Sequence, residues 1–321
     1  MVKLFTHAPR FSVLHLCVAI ACVVLVPQTS IAGFLDGREV IESQESLYNN
    51  IYVTRDGPYV NLTFGYNTKI YTESSYNTKD ESELPLVYTQ FMTAGLIYPQ
   101  KITSILEIGF GGGRTSWYLH RALPDVPITS VELDPAVVKI AHKYFGTREE
   151  KNFSVVAKDG RLFLAQSKQR YDIIMIDAYR GPFIPFHLLT EEFYQIVKDH
   201  LNPGGVVVQN VEPSTMLFDS AVKTMHAVFE QIEFYPASGN IVTIAYNGPQ
   251  RTAEDLSGVA AERQALLKTR YNLSDLLKAR KPLSSQTTVI DSQAKVLTDD
   301  FAPVEALHAI ERHNRKWENT Q

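Results

Sequence analysis

The stretch Ile105-Leu106-Glu107-Ile108-Gly109-Phe110-Gly111-Gly112-Gly113-Arg114 decides the fold of this chain. An apolar run ends in a cluster of glycines, and a helix-forming segment at 115–122 follows. That order reads as strand, tight turn and helix, the opening unit of a Rossmann-like nucleotide-binding sheet. Glycine lets the backbone approach a ligand that a side chain would block, and the start of the helix offers unpaired N–H groups. The segment therefore predicts a nucleoside-containing ligand.

Downstream, strands and helices alternate. Apolar runs at 104–108, 128–133, 153–157, 171–176 and 205–209 are separated by helical stretches at 114–122, 135–145, 161–167 and 190–201. Pro135 suits the first turn of its helix, and Pro203-Gly204-Gly205 is turn chemistry. Continuous apolar strands predict a parallel sheet covered by helices on both faces. A further helix is expected at 214–229 and a terminal antiparallel pair at 232–235 and 241–246.

Upstream, short β-type runs at 50–54, 59–64 and 69–72 are separated by Asp56-Gly57-Pro58 and Gly65-Tyr66-Asn67. They predict a small antiparallel sheet. A polar stretch at 73–83 leads into an expected helix at 84–97, and from residue 251 the chain reads as helical and polar, ending near 302–313. The expected division is a leader at 1–32, an N-terminal β domain at 33–83, a nucleoside-binding domain at 84–250 and a C-terminal helical extension at 251–321.

In the leader, Lys3 and Arg10 precede an almost wholly apolar run at 11–27, and Ser30-Ile31-Ala32-Gly33 offers a cleavage site. Two readings stand: a signal peptide that sends the chain to a bacterial periplasm, or an inner-membrane anchor through 11–27. Cys17 and Cys22, the only cysteines, lie inside this run. The rest of the chain therefore has no means to form disulfides, thiolate nucleophiles or cysteine-ligated zinc. A net charge of −4 with no basic block argues against nucleic-acid partners. The nine histidines form no ligand-spaced pair, so no metal is expected.

Arg114 stands where nicotinamide dinucleotide proteins need a third glycine, so the glycine cluster alone leaves the ligand open. Later residues narrow it. Glu132 ends its strand where a carboxylate can accept both hydroxyls of a ribose, and Asp159-Gly160 follows the next strand, placed to meet a purine amine. With Glu107 and the turn glycines Gly109, Gly111 and Gly113, this is the set that S-adenosylmethionine-type enzymes use. Each acid has a plainer reading, since Glu132 and Asp159 can cap the helices that follow them. Asp177 ends the strand at 171–176, at the edge where ligands bind in open α/β sheets. There it can take a proton from a nucleophile, hold a cation, or simply cap its loop. Thr190 is expected as an N-cap and Phe193 as a buried anchor, while His187 reads as a loop or core residue.

These motifs, together with Leu189-Thr190-Glu191-Glu192-Phe193-Tyr194 and Asn202-Pro203-Gly204-Gly205, resemble the spermidine synthases (polyamine aminopropyltransferases) over about residues 59–242. Leu297-Thr298-Asp299-Asp300-Phe301-Ala302-Pro303-Val304 is similar to a bacterial spermidine-synthase-like branch often attached to membrane segments. The resemblance implies a Rossmann-like sheet behind a small antiparallel β domain, decarboxylated S-adenosylmethionine as co-substrate, a polyamine or related amine as acceptor, and a homodimer. It also implies that Glu132 binds ribose, Asp159 adenine, and that Asp177 frees the attacking amine. Tyr88 and Gln90 sit near where the family contacts substrate, and Tyr179 and Arg180 follow the catalytic acid.

Two departures keep the chemistry open. Gly112 stands where the family carries an Asp for the aminopropyl amine, and Arg180 where it carries a second acid for the diamine. Without the turn acid, intact S-adenosylmethionine becomes a candidate, with Arg114 or Arg180 as partner for its carboxylate. Three readings follow: aminopropyl transfer, methyl transfer, and a non-catalytic ligand-binding homologue.

Overall fold

The N-terminal strands form a four-stranded antiparallel meander: β1 (Glu39–Glu45), β2 (Asn50–Asp56), β3 (Tyr59–Tyr66) and β4 (Lys69–Asn77). The structure, a computed structural model, describes residues 38–300 apart from 67–68, 216, 268, 286–289 and 292–293. The expected leader at 1–32 and the expected helix at 302–313 lie outside the described residues. Gly57, at φ +55°, supplies the left-handed conformation that the tight β2–β3 turn needs. Alternate residues Ile51, Val53, Val60, Leu62 and Phe64 are buried, the pattern of a sheet with one covered face. That face packs on Val137, Ile140 and Phe145 of the main body.

Two features of this sheet differ from the expectation drawn from the sequence. β1 was not anticipated, being short of apolar residues, and β4 continues past Thr72 to Asn77. Leu62 pairs with Ser74 but Thr63 with Thr72, so Glu73 is the extra residue of a bulge. The bulge breaks the period-two pattern, which is why the alternation in the sequence ends there.

The main sheet has eight strands in the order β12-β10-β11-β9-β8-β5-β6-β7. They are β5 (Ile105–Ile108), β6 (Ile128–Glu132), β7 (Phe153–Ala157), β8 (Tyr171–Ile176), β9 (Leu201–Val211), β10 (Gln231–Ala237), β11 (Asn240–Tyr246) and β12 (Lys281–Pro282). β9, β8, β5, β6 and β7 run parallel, and β11, β10 and β12 continue the sheet antiparallel. Every residue of β5 and β8 is buried, as two-sided cover requires.

The helices are α1 (Val87–Met92), α2 (Arg114–Ala122), α3 (Pro135–Tyr144), α4 (Gly160–Gln166), α5 (Glu191–Asp199), α6 (Phe218–Val228), α7 (Ala253–Leu267) and α8 (Leu273–Leu277). Alternation along the strands splits the core in two. Ile105, Ile173 and Met175 meet Trp117 of α2 and Leu256 of α7. Leu106, Ile174 and Ile176 meet Leu164 of α4, Phe193 of α5 and Met225 of α6. Each such buried aliphatic or aromatic side chain contributes roughly 1.5–3 kcal/mol. Thr190 caps α5 through Phe193 N–H, as expected from the sequence.

The helix expected at 84–97 is shorter, α1 followed by a 3₁₀ turn at Thr93–Ile97, and that expected at 214–229 begins at Phe218. The segment after residue 251 is not wholly helical. β12 joins the sheet edge beside β10, and just before it Arg280 pairs at 2.7 Å with Glu233, which has no solvent exposure.

The chain runs from β5 outward through β6 and β7, then returns to β8 on the other side of β5. The connections leaving β5 and β8 therefore diverge, and a crevice opens at the carboxyl ends of these two strands.

Candidate active site

Gly109 leaves β5 with φ +93°, and a Cβ on it would lie 2.4 Å from the Asp177 carbonyl oxygen. The backbone after β5 thus touches the backbone after β8, and only glycine fits. Around this contact lies a cavity of about 330 Å³ whose lining includes Glu107, Gly109, Gly111, Glu132, Asp159 and Asp177. Gly160, Tyr88, Tyr179 and Arg180 also line it. Three acids from the ends of β6, β7 and β8 share one space, as the sequence pattern requires. That volume is within the range of small-molecule sites.

Glu132 holds the turn. Its Oε2 accepts the N–H groups of Phe110 (3.1 Å) and Gly111 (3.0 Å), and its Oε1 accepts Asp134 N–H at 3.0 Å. Burial raises its carboxyl while these three donors pull it down. The helix-capping alternative falls to its neighbour: Asp134, not Glu132, caps α3 by accepting Ala136 N–H. Oε2 is taken up by two N–H groups, and Oε1, with one, keeps acceptor capacity for a hydroxyl.

Asp159 caps its helix and also lines the cavity. Oδ1 caps α4 through Leu162 N–H at 2.8 Å, and Oδ2 meets His187 Nε2 at 2.9 Å on the cavity wall. His187, read from sequence as a loop or core residue, stands on a 3₁₀ turn (Phe186–Leu188) that brings it over the acid.

Asp177 is pushed up to about 6 by burial, with hydrogen bonds from Asn210 and Tyr88 working against the rise. Asn210 Nδ2 donates to Oδ1 at 3.0 Å. Tyr179 donates its hydroxyl to the Asn210 carbonyl at 3.0 Å, which fixes the ring beside the acid. Beneath them Glu107 accepts a hydrogen bond from Ser130 at 2.7 Å and is raised by burial to about 8.

Three assignments made from the sequence need correction. Gln90 does not line the cavity, because its amide donates to the Leu84 carbonyl at 2.8 Å and closes the chain just before α1. Gly113 is also outside it; it begins α2 at φ +69°, and a Cβ would run into Phe110 at 2.2 Å. Arg114 borders the cavity, but its terminal nitrogens donate to the carbonyls of Phe145 (2.8 Å) and Glu81 (2.5 Å). It ties the segment after β4 to the body, which takes up both of its terminal nitrogens. Arg180 is exposed and lines the mouth, shared with a neighbouring hollow under the β1–β2 hairpin.

Sequence reasoning missed Glu73, Asn210, and the hairpin residues Tyr48 and Asn49, which line the cavity or hold its acids. The loss of alternation at Glu73-Ser74 was the one available signal; the others depend on contacts across 30 residues or more.

The sheet order and the acid-lined switch-point cavity define a class: a Rossmann-like, nucleoside-binding transferase fold with an antiparallel sheet in front. The Spermine/spermidine synthase domain matches residues 95–247. The polyamine aminopropyltransferase of Vibrio vulnificus is 30% identical over 279 residues, 84% of this chain and 91% of that protein. A probable polyamine aminopropyl transferase of Bifidobacterium longum is 31% identical over 326 residues, 91% of this chain and 70% of that protein. A probable spermidine synthase from Corynebacterium glutamicum superposes with a TM-score of 0.62 at 18% identity, covering 82% of this chain and 97% of that one. The chain belongs to the spermine/spermidine synthase family.

Proposed function

We propose that this protein transfers the aminopropyl group of decarboxylated S-adenosylmethionine to a polyamine or related amine. The observation that carries the reading is the single cavity into which Glu132, Asp159 and Asp177 all open. Glu132 suits the ribose hydroxyls, Asp159 with His187 the purine edge, and Asp177 the reacting centre. In the reaction the acceptor nitrogen forms a bond to the methylene attached to sulfur. The carbon–sulfur bond breaks, its electron pair stays on sulfur, and a neutral thioether leaves as methylthioadenosine. The proton released by the new ammonium passes to Asp177, whose position near neutrality suits that exchange. Tyr88 and Tyr179 flank the acid and keep water from the site of attack.

Methyl transfer from intact S-adenosylmethionine is the second reading. It draws on Arg180 at the mouth, the cavity residue whose charge faces outward and can meet a carboxylate. Attachment to, or export across, a membrane through 11–27 and assembly as a homodimer belong to the same proposal. They are supported by the apolar leader and by the resemblance in sequence.

The test is direct. The protein, given decarboxylated S-adenosylmethionine and a diamine, yields methylthioadenosine and the aminopropylated amine by mass spectrometry. S-adenosylhomocysteine formed from the intact nucleoside, with no aminopropyl product, would replace this reading with methyl transfer.

A further inference from the structure

The wall that the N-terminal sheet contributes to the cavity carries an acid outside the set at the ends of β5 to β8. Glu73 is the extra residue of the β4 bulge: its neighbours Thr72 and Ser74 pair with Thr63 and Leu62, and Glu73 has no cross-strand partner. A bulge re-aims a side chain, and this one brings Glu73 to line the cavity with Asp177 and Glu132. Its Oε1 is buried with no hydrogen-bond partner among the described residues. A buried carboxylate oxygen without a donor is costly unless a ligand supplies one.

The next residue explains why the turn has no acid. Ser74 Oγ accepts Gly112 N–H at 2.9 Å. A Cβ on Gly112 would lie 2.7 Å from Ser74 Cβ and 2.8 Å from Phe145 Cδ1. Strand β4 therefore fills the space into which a side chain at 112 would project, and one residue earlier it brings an acid of its own.

We propose that Glu73 is the specificity-determining carboxylate that receives the terminal ammonium of decarboxylated S-adenosylmethionine, in place of the acid that Gly112 cannot carry. The inference rests on the aminopropyl-transfer reading. Intact S-adenosylmethionine bears a carboxylate on the carbon that carries this ammonium, and Glu73 repels it. The missing turn acid therefore does not open the cavity to the intact nucleoside. Burial, Asp177 and Glu132 all raise the Glu73 carboxyl, a setting that a bound cation relieves.

Calorimetry on the full chain tests this with three probes: decarboxylated S-adenosylmethionine, the intact form, and methylthioadenosine, which lacks the ammonium. Glu73→Gln weakens the decarboxylated probe about ten-fold or more, as loss of a charge-assisted hydrogen bond does, and leaves methylthioadenosine within about two-fold. The preference for decarboxylated over intact nucleoside narrows with it. Glu73→Asp, which keeps the charge, retains that preference and serves if the Gln variant does not fold. Equal weakening of methylthioadenosine, or unchanged affinity for the decarboxylated probe, removes Glu73 from this role and leaves the transfer reading standing. A wild-type protein that prefers the intact nucleoside refutes the transfer reading and this inference together.

Discussion

Asp177→Asn separates chemistry from stability in one substitution. As the proton acceptor, Asp177 contributes roughly 10²–10⁴-fold to the rate, so kcat falls by about 100-fold or more while nucleoside affinity stays within a few fold. Stability moves the other way. Burial lifts this carboxyl from its ordinary 3.8 to about 6. Below pH 3.8 it is protonated in both the folded and unfolded chain and costs nothing. Between about 4 and 6 the unfolded chain loses its proton while the folded one keeps it, so stability falls as pH rises through that window. Above 6 the full penalty remains, at most about 3 kcal/mol, and less because the group borders an open cavity. Asparagine removes the penalty and still accepts from Asn210, so the variant is more stable than wild type at pH 7 by about 1–3 kcal/mol. The assays are turnover by product mass spectrometry and urea unfolding at pH 4 and pH 7. In the wild type, kcat/KM falls on the acid side of about pH 6. Turnover within ten-fold of wild type removes Asp177 from the reaction, and a variant less stable at pH 7 shows a carboxylate that holds its loop.

Other perturbations test the frame around the site. Gly109→Ala places a Cβ 2.4 Å from the Asp177 carbonyl at a positive φ, so a loss of roughly 3 kcal/mol or more is expected in thermal unfolding; a shift below ~1 kcal/mol contradicts the close approach. Glu107→Gln removes a carboxyl that burial raises to about 8, so the pH-dependent loss of stability between about 4.5 and 8 should flatten, by up to about 4 kcal/mol at pH 8. An unchanged pH profile of unfolding would show that Glu107 ionises freely. Arg280→Met strands the buried Glu233 without its partner and should cost about 3–5 kcal/mol, most of it recovered by adding Glu233→Leu. Equal losses in the single and double variants would rule out charge burial as the cause.

Much of the fold was legible because its signals are local. Continuous apolar runs marked β5 to β9, and the glycine cluster marked the turn after β5. A parallel sheet sends all its carboxyl ends to one edge, so acids that end successive strands must come near one another; Glu132, Asp159 and Asp177 follow from that alone. The C-terminal strand β12 was not legible, since two residues carry no period and the ion pair beside them, Arg280 to Glu233, spans 47 positions.

The sequence by itself determined the order of strands and helices from β2 to β11, the glycine turn, and the acids at the strand ends, because each rests on spacing within one element. Only the tertiary structure decided that Gln90 and Arg114 are taken up by backbone carbonyls, that Asp159 caps a helix as well as facing the cavity, and that Glu73 enters the site. In a strand, one inserted residue exchanges the two faces, so whether an acid meets solvent or ligand is set by cross-strand register. That register is a property of two segments packed together and is written in neither of them.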